Sequence, residues 1–387
     1  MRIGFDVSQT GEDKAGCGFF ADQLIRALAE EDSENEYRLY PTFYGYRSFL
    51  FEQATRIEKP NFATMFGQWP FEAQCLWWDT VQDRMEALGA PDIIHANNYS
   101  CPRDVPAKAV FTVYDLAVLE VPQYTTEENR LVCFQGLFDA AMRADHLIMI
   151  SEATRQAFIR HFPHYPEDRM TVIHLGNRPT IVPRPAADCR DYLAELGVSR
   201  EGFWLGVGTV EPRKNYRLLI DAYKAVVNRG EDERPLLIAG GKGWLESDIG
   251  NFVHANGLAD KVRFLGYVTD EQLSMLYSSC FAFVYPSFYE GFGLPVLEAM
   301  SCGAAVICSN STSLPEVAGD AALLIDPKSS CSLQQAMQEL LHSRESVHRL
   351  RKAGASQAAK FSWRKAAGET LQVYGKVIEY PKYSQVK

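Results

Sequence analysis

Two glutamates in the last third of the chain lie eight positions apart in a glycine-rich stretch. The stretch YEGFGLPVLEAM (residues 289–300) places Glu290 and Glu298 on either side of Gly291 and Gly293. A carboxylate accepts paired hydrogen bonds from a diol, and glycine lets backbone N–H groups approach a ligand closely. The spacing indicates two carboxylates that contact one elongated polar ligand. The alternative is a carboxylate that favours a helix dipole and a solvated helical glutamate.

Two adjacent cations follow a predicted strand earlier in the chain. Arg213 and Lys214 lie in GVGTVEPRKN (206–215), between a strand that ends near Val210 and a helix that we expect Asn215 to cap. The free N–H groups of a helix start, together with two cations, favour a diphosphate as the ligand. On the spacing alone, a solvated basic pair on a loop is an equally good interpretation.

The elements that would position these residues alternate along the chain. Short apolar runs of strand length are separated by stretches with helical periodicity, which predicts parallel sheets covered by helices. In such sheets, ligands bind beyond the carboxyl ends of the strands. The predicted strands are residues 2–7, 92–96, 109–115, 146–151, 170–176, 203–210, 235–241, 261–268, 280–287, 304–309 and 321–327. The predicted helices include 18–31, 152–162, 215–227, 294–303 and 361–380.

The alternation pauses between residues 177 and 202, where three prolines occur in the first ten positions. We interpret this pause as the start of a linker between two domains. The sequence predicts an N-terminal domain over 1–178, a C-terminal domain over 179–360, and a helical segment over 361–387 that packs back toward the first domain.

Composition limits the classes of function. The 387 residues are enough for two domains, and 39 Lys plus Arg against 49 Asp plus Glu give a formal net charge of −10. An acidic chain without a basic run is a poor partner for a nucleic-acid backbone, so we expect no nucleic acid to bind.

Cysteine usage and apolar runs indicate the compartment. The nine cysteines form no C-x-x-C pair and the chain has no H-E-x-x-H motif, so we expect reduced, buried thiols and no metal ligands. Asp6 interrupts the first apolar run, unlike in a signal peptide, and no apolar run reaches the roughly 20 residues of a membrane span. We expect a cytoplasmic protein, either free or at the inner face of the cytoplasmic membrane.

One segment has an unusual composition. Residues 37–78 contain thirteen aromatic side chains. They indicate either an aromatic core or a surface for a sugar or a lipid-linked acceptor, because aromatic rings stack on sugars and also lie well at membrane interfaces. The core interpretation is favoured, since most aromatic residues are buried.

Combined, these motifs resemble those of the retaining glycosyltransferase family 4, the glycosyl transferases group 1. Glu290 and Glu298 match the E-x7-E motif of that family within PSFYEGFGLPVLEAMSCGAAVICS, and Arg213 and Lys214 match its diphosphate clamp. Looser matches are AGCGFFADQLIRAL, ISEATRQAF, VIHLGN and SLPEVAGDAALLIDP. The resemblance covers nearly the whole chain and is most specific in the C-terminal half. It implies the GT-B fold, in which two Rossmann-like doubly wound domains face each other across a cleft and a C-terminal helix crosses back to the N-terminal domain.

The resemblance also implies roles for the motif residues. Glu298 would bind the ribose of a nucleotide-sugar, while Glu290, Arg213 and Lys214 would act at the reacting sugar and diphosphate. The backbone N–H groups expected to hold sugar and phosphate oxygens are those of Gly291, Phe292, Gly293 and Leu294. Replacing both cations with alanine is expected to reduce turnover by orders of magnitude and to leave folding unaffected.

Other positions follow from the same resemblance. Gly16 and Gly18 would form a glycine-rich loop after the first strand, near the diphosphate, and the base would lie near Tyr267 and Val268. Many members of the family carry His-Asp after the strand that here precedes Tyr114 and Asp115. We expect Tyr114 and Asp115 to lie near the donor sugar, although a tyrosine cannot carry the positive charge of a histidine. His95 is a second strand-end candidate, and a hydrogen-bonded core histidine is the favoured interpretation of it.

The implied function is retaining transfer of a hexose from a nucleotide-sugar to a saccharide or lipid-linked acceptor, by front-side displacement and without a metal or organic cofactor. The C-terminal half resembles bacterial mannosyltransferases of surface-polysaccharide assembly, which favours GDP-mannose, with UDP-glucose next. Peripheral contact with a membrane fits a lipid-linked acceptor. The alternatives are a phosphorylase or epimerase on the same fold and a non-catalytic sugar-nucleotide-binding protein.

Overall fold

The structure of the protein is a computed structural model that describes residues 1–11, 16–43, 54–66, 73, 76–77, 80–102, 105–241, 243 and 248–383. The chain divides into two compact units. Unit 1 comprises Met1–Gly176 with Ser362–Lys387, and unit 2 comprises Asn177–Phe361. Each unit is built around one parallel sheet, as the alternation of strands and helices predicts.

Unit 1 contains a seven-stranded sheet with the order β3-β2-β1-β4-β5-β6-β7. Its strands are β1 (Arg2–Asp6), β2 (Glu36–Tyr40), β3 (Phe62–Thr64), β4 (Ile93–Ala96), β5 (Lys108–Val113), β6 (His146–Met149) and β7 (Met170–Val172). Its described helices are α1 (Gly16–Glu31), α2 (Arg84–Ala87), α3 (Ala117–Glu120), α4 (Glu127–Arg143) and α5 (Glu152–His161), and the last helix of the chain, Trp363–Glu379, also belongs to this unit. That last helix packs against α1 and β5.

Unit 2 contains a six-stranded sheet with the order β10-β9-β8-β11-β12-β13. Its strands are β8 (Trp204–Val207), β9 (Leu236–Ala239), β10 (Val262–Gly266), β11 (Ala282–Tyr285), β12 (Ala305–Ser309) and β13 (Ala322–Ile325). Its described helices are α6 (Ala186–Glu195), α7 (Tyr216–Asn228), α8 (Ile249–Ala255), α9 (Asp270–Ser279), α10 (Leu294–Ser301), α11 (Leu314–Ala318), α12 (Ser330–His342) and α13 (Arg344–Ala358). The helix Trp363–Glu379 of unit 1 is therefore α14.

The order of strands reverses once in each sheet, and this reversal decides where a ligand can bind. In unit 1 the reversal lies between β1 and β4, and in unit 2 it lies between β8 and β11. The connections after the two strands at such a point leave in opposite directions and open a crevice at the carboxyl ends of the strands. The loops after β8 and β11 carry the predicted cations and Glu290.

Local sequence explains how the helices around this crevice begin. Thr269 caps α9 through a capping box with Gln272, in which each side chain bonds the other residue's backbone N–H. Gly293 precedes α10 with φ +114°, a conformation that L side chains rarely adopt, and Pro295 follows at an early helical position where proline is tolerated.

Three elements differ from the sequence predictions. β2 and β3 were not predicted, because their aromatic residues resemble a loop-rich segment more than an alternating strand. Tyr37, Tyr40 and Phe43 are fully or almost fully buried, which supports the core interpretation for these positions. Residues 44–53 and most of 67–78 of the aromatic segment lie outside the described residues. Helix α6 occupies the middle of the predicted linker, where Pro185 sits at the N-cap position.

A chain of hydrogen bonds attaches the last helix to the sheet of unit 1. The Thr112 hydroxyl donates to Oδ1 of Asn97 at 3.1 Å, so it accepts from Nε2–H of His95 at 2.8 Å. Nδ1 of His95 therefore accepts from the Tyr374 hydroxyl of α14 at 2.6 Å. His95 is fully buried with both nitrogens bonded, which agrees with the core interpretation and gives it a structural role.

Two further observations concern solvent and membrane. The eight described cysteines are free thiols, and Cys331 is exposed while Cys17 and Cys133 are half-buried, so the expectation that all are buried is wrong for these three. Across the described residues, no helix is both long enough and apolar enough to span a bilayer.

Lowering the pH from 7 to 5 is expected to destabilise unit 1 through His95. Burial lowers the pKa of His95 to about 3, against about 6.5 in an unfolded chain. Between pH 7 and 5 the His95 imidazole takes up a proton in the unfolded chain but not in the folded protein. Acidification therefore lowers the free energy of unfolding by about 2 kcal/mol through this group. Urea titrations at both pH values should show that His95→Gln is less stable than the wild type at pH 7 but loses less stability at pH 5.

The control is His164→Gln, which replaces an exposed histidine of the same unit and should keep the wild-type pH dependence. His146 and Asp6 also change the stability of unit 1 with pH, but they do so equally in the wild type and in the variants, so their effects cancel in the comparison. Burial lowers the pKa of His146 to about 4, which acts in the same direction as His95, and burial raises the pKa of Asp6 to about 6, which acts in the opposite direction. Equal pH slopes in the wild type and His95→Gln would contradict the prediction.

Candidate active site

Arg213, Lys214 and Glu290 form one ion-pair cluster at the strand reversal of unit 2. Nζ of Lys214 lies 2.7 Å from Oε1 of Glu290, and Nη1 of Arg213 lies 3.0 Å from Oε2. The hydroxyl of Tyr285, the last residue of β11, donates to Oε1 at 2.9 Å and accepts from Nζ of Lys214 at 2.5 Å. The structure therefore brings together three residues that the sequence selected in two separate motifs.

The cluster is buried, so its charges depend on one another. The side chains of Glu290 and Lys214 are 9% and 11% exposed. Burial alone would raise the pKa of the Glu290 carboxyl, but Arg213 and Lys214 outweigh burial and lower that pKa to about 2. Burial lowers the pKa of Lys214, and the carboxylate of Glu290 opposes this change. Glu290 is thus a carboxylate near neutral pH, paired with two cations.

A second carboxylate, which the sequence analysis did not assign, borders the same cluster. Oε1 of Glu211 accepts from Nη2 of Arg213 at 2.6 Å, while Nη1 of Arg213 donates to the carbonyl of Tyr289 at 2.8 Å. The Glu211 side chain is 2% exposed, and its Oε2 has no hydrogen-bond partner among the described residues. The cluster thus contains two acidic and two basic side chains, whose formal charges offset one another.

Asn215 connects three loops at the carboxyl edge of the sheet. It precedes α7 as predicted, but its side chain does not cap that helix. Its backbone has φ +59°, which asparagine tolerates better than most residues, and its Nδ2 donates to the carbonyls of Pro286 at 3.0 Å and Pro327 at 2.8 Å. The predicted N-cap position is therefore confirmed, but the amide holds the loops after β11 and β13 and makes no capping bond to the helix.

The loop after Glu290 is held by hydrogen bonds with the residues that follow β12. The single O–H of Ser313 lies within donating distance of the carbonyls of Glu290 at 2.9 Å and Phe292 at 2.7 Å, and the Thr312 hydroxyl accepts from the Glu290 N–H at 3.0 Å. Gly291, Phe292 and Gly293 are buried in this loop, and Leu294 opens α10, so its N–H has no acceptor within that helix. These residues form one ordered turn beside the ion-pair cluster.

Glu298 makes its own ion pair, separate from the cluster. It lies on α10, and both of its carboxylate oxygens accept from Arg178, through Nε and, at 2.9 Å, through Nη2. Nη1 of Arg178 donates to Oδ1 of Asp270 at 2.7 Å, and the Tyr277 hydroxyl donates to Oε2 of Glu298 at 3.3 Å. Burial raises the pKa of Glu298, and the ion pair with Arg178 only partly offsets this increase. Burial would lower the pKa of Arg178, but the same ion pair outweighs burial and raises that pKa.

The base-site candidates lie after the edge strand β10 of the same sheet. The Tyr267 side chain is 85% exposed, and Val268 is half-buried. Gly266 precedes them with φ +72°, which turns the chain away from the strand at its carboxyl end. An exposed aromatic ring at this edge can stack on a planar base.

The remaining candidates belong to unit 1. Gly16 and Gly18 lie in the first turn of α1, not in a glycine-rich loop, because the helical periodicity predicted from residue 18 already begins at Gly16. Tyr114 is buried, and its hydroxyl donates to the carbonyl of Asn97 at 2.8 Å, within its own unit. Asp115 accepts from the N–H of Ala117 at 2.9 Å, at the start of α3. Their predicted roles at the donor sugar stay predictions.

The pairing of Lys214 with Glu290 corrects one expectation from sequence. Replacing both Arg213 and Lys214 with alanine would leave the buried Glu290 without a cation. Breaking a buried ion pair by removing one partner costs about 3–5 kcal/mol, so folding would not be unaffected. The cause is that the cations have a protein partner as well as a predicted ligand.

The residues that the sequence analysis missed carried different amounts of signal. Glu211 lies inside the motif GTVEPRKN, and Tyr285 ends a predicted strand, so both could have been named from their positions. Arg178 lies in a proline-containing segment, and its partner Glu298 is 120 positions away along the chain. No local pattern links those two residues.

Comparison with known proteins identifies both halves of the chain. Residues 194–357 match the family Glycosyl transferases group 1, and residues 16–178 match Glycosyltransferase Family 4. The O-antigen chain mannosyltransferase B of Escherichia coli is 36% identical over 97% of this chain and 99% of its own length. The serotype-specific mannosyltransferase WbdA of Escherichia coli is 30% identical over 98% of this chain, and the match covers 48% of the length of WbdA.

A solved structure shows the same fold. Alr3699/HepE of Anabaena, in complex with UDP and glucose, matches with a TM-score of 0.71 at 19% identity, over 97% of this chain and 100% of that one. This match confirms the predicted GT-B class of two Rossmann-like parallel-sheet domains. With both halves matched and 36% identity to a full-length relative, this chain belongs to the glycosyl transferases group 1 of glycosyltransferase family 4 and is a glycosyltransferase enzyme.

Proposed function

We propose that the protein moves mannose from GDP-mannose to a saccharide acceptor, free or lipid-linked, with retention of configuration, in the assembly of a surface polysaccharide. The observation that carries this proposal is the 36% identity to O-antigen chain mannosyltransferase B over 97% of this chain. The mannosyltransferase WbdA supports the same sugar. The ion-pair cluster of unit 2 supplies groups that such a transfer needs.

The proposed reaction is a front-side displacement. The acceptor hydroxyl oxygen forms a bond to the anomeric carbon on the face that the diphosphate leaves. The bond from that carbon to the diphosphate breaks with its electron pair on the diphosphate oxygen, which takes the acceptor proton. Arg213 and Lys214 would stabilise the negative charge that develops there, and in a buried site such preorganised charges act strongly.

Glu290 has a complementary part in this proposal. As the glycosidic bond breaks, positive charge develops on the sugar ring, and an ionised carboxylate beside the ring stabilises it. The low pKa of Glu290 keeps the carboxylate ionised near neutral pH. Because both of its oxygens are held by cations or by Tyr285, Glu290 suits a fixed electrostatic role better than a nucleophilic attack.

The nucleotide would extend from the cluster along unit 2. Glu298 would accept hydrogen bonds from the ribose hydroxyls, and the base would lie near Tyr267 and Val268. The turn from Gly291 to Leu294 would direct its N–H groups at sugar and phosphate oxygens.

We propose that the reaction uses no divalent metal and no organic cofactor, because Arg213 and Lys214 provide the positive charge that a metal would otherwise bring to the diphosphate. We also propose a cytoplasmic enzyme that contacts the inner face of the membrane where a lipid-linked acceptor would lie. Free thiols at all eight described cysteines support a reducing compartment.

The proposed function is tested by product formation from candidate donors. GDP-mannose should give transfer to an oligomannose acceptor, whereas UDP-glucose and GDP-glucose should give at most a small fraction of that rate. Product NMR should show that the anomeric configuration of the donor is kept. Activity should survive EDTA, since cations of the protein serve the diphosphate.

The matched control for replacing the cluster lysine Lys214 by methionine is Lys224→Met. Lys224 lies on α7, where its Nζ contacts Asn256 outside the cluster. That variant should behave as the wild type. Preferred transfer of glucose, inversion at the anomeric carbon, or loss of activity in EDTA that manganese restores would each contradict the corresponding part of the proposal.

Lys214→Met should lower both turnover and stability. Turnover should fall by at least about 100-fold, since Lys214 stabilises charge that develops only as the bond breaks. The free energy of unfolding should fall by about 3 kcal/mol, because the buried Glu290 loses its closest cation. Urea titration and a saturating-donor assay measure the two effects.

The double variant Lys214→Met with Glu290→Gln separates folding from chemistry. Removing both charges should restore most of the stability that Lys214→Met loses, because no unpaired charge stays buried. Turnover should stay as low as in Lys214→Met alone. Near-normal turnover in either variant would exclude the cluster from catalysis.

The two glutamates should respond differently to replacement by glutamine. Glu298→Gln should weaken GDP and GDP-mannose alike, because both carry ribose and a hydrogen bond to a charged group contributes about 1.5–3 kcal/mol. Glu290→Gln should lower turnover strongly but keep GDP binding, or strengthen it. Replacing the Glu290 carboxylate removes a negative charge from beside the two cations that would contact the diphosphate.

Calorimetric titration with GDP, beside product formation from GDP-mannose, measures these effects. Glu271→Gln, at an exposed glutamate in the first turn of α9, is the control and should change neither quantity. If Glu290→Gln abolishes GDP binding while Glu298→Gln leaves it unchanged, the two roles are reversed.

A further inference from the structure

Arg178 connects Glu298 to a second helix of unit 2. Its Nε and Nη2 donate to the two oxygens of Glu298 on α10, and its Nη1 donates to Asp270 at the start of α9. The Thr180 hydroxyl donates to the other oxygen of Asp270. Asp270 and Glu298 thus hold the guanidinium from two sides, and the planar group has little freedom to rotate.

The contact uses a property that only arginine has. A guanidinium carries five N–H donors in a fixed planar fork, and two parallel donors match the two oxygens of a carboxylate. A lysine ammonium could pair with Glu298 but could not fix the plane of its carboxylate. The arrangement therefore sets the orientation of Glu298 and not only its charge.

Orientation is decisive here because Glu298 is nearly inaccessible. Its side chain is 2% exposed, so a ligand can reach only an edge of the carboxylate. A carboxylate offers about four acceptor directions, of which Arg178 occupies one on each oxygen. The Tyr277 hydroxyl shares Oε2 at 3.3 Å, which is longer than an ordinary O–H···O bond. The plane in which Arg178 holds the carboxylate therefore fixes which acceptor directions remain for a ligand.

We propose that Arg178 is a positioning residue for the nucleotide: by holding both oxygens of Glu298, it directs the remaining acceptors of that carboxylate at the vicinal hydroxyls of the ribose. This proposal rests on the assignment of the ribose to Glu298 in the proposed function. It adds that selectivity for ribose over deoxyribose depends on Arg178, which does not itself contact the nucleotide.

The test compares GDP with 2′-deoxy-GDP by calorimetric titration of the wild type, Glu298→Gln and Arg178→Lys. The wild type should prefer GDP by about tenfold or more, as expected for one hydrogen bond to a charged group. Both variants should reduce that preference to about twofold or less, since each removes a correctly oriented carboxylate. A residue that only supported the fold would weaken both ligands equally and leave their ratio unchanged.

Arg351→Lys is the matched control. Arg351 also lies in unit 2, where it pairs with Glu201 and donates to the carbonyls of Cys280 and Phe281. Its replacement removes the same kind of fork at another place, so the preference for GDP should match the wild type.

A second comparison applies if Arg178→Lys does not fold. In the double variant Arg178→Met with Glu298→Gln, both charges are removed, so no unpaired charge stays buried. If Arg178 acts only through Glu298, the double variant should bind GDP within about twofold of Glu298→Gln alone, because contacts within one network are not additive.

The outcomes separate this inference from the proposed function. Full preference for GDP in Arg178→Lys, with the preference lost in Glu298→Gln, would overturn the inference and leave Glu298 on the ribose. Tighter GDP binding by Arg178→Lys would show that Arg178 competes with the ligand, which also overturns it. Equal binding of both nucleotides by the wild type would remove the ribose assignment and the inference together. Failure of the proposed function itself would appear instead as absent transfer from GDP-mannose.

Discussion

The ion pair between Lys214 and Glu290 is the constraint on which the geometry of unit 2 depends. Each side chain is buried, and a buried charge without a partner is too costly to keep. The pair can form only if the loops after β8 and β11 meet at the strand reversal. Asn215 and Ser313 then hold those loops through backbone carbonyls. The contact that the proposed mechanism uses is therefore also a structural requirement of unit 2.

The sequence predicted the architecture well because the signals for a parallel sheet are local. Ten of the observed strands fall within predicted apolar runs, and β5 overlaps one, because most of these strands are buried and therefore rich in apolar residues. The strands buried at every residue are β4, β6, β8, β9, β11 and β12. β2 and β3 were missed because Tyr37, Tyr40 and Phe62 are aromatic, and such a segment has no clear period. Helix α6 was missed because prolines before residue 186 dominated the interpretation of that region.

The members of the ion-pair cluster could be selected from the sequence as residues, but their contacts could not. Residue types and spacing selected Glu290, Arg213 and Lys214, each next to the end of a predicted strand. That Lys214 would bond to Glu290, 76 positions later, depends on the order of strands in the sheet, which local patterns do not give. The same limit applies to Arg178 and Glu298, which come from different segments. The expectation that folding would tolerate loss of both cations failed for this reason.

The balance of charge in the cluster bears on catalysis. A site with two unpaired cations would bind a nucleoside diphosphate product more tightly than the donor, because the product carries more negative charge. By formal charge, Glu211 and Glu290 offset Arg213 and Lys214, which in the proposed site would weaken retention of the product. Catalysis requires interactions that are stronger in the transition state than in bound substrate or product. In the proposed reaction, fixed dipoles between oppositely charged neighbours would meet that requirement, because they would act on the charge that separates as the glycosidic bond breaks, when the sugar becomes positive and the diphosphate negative.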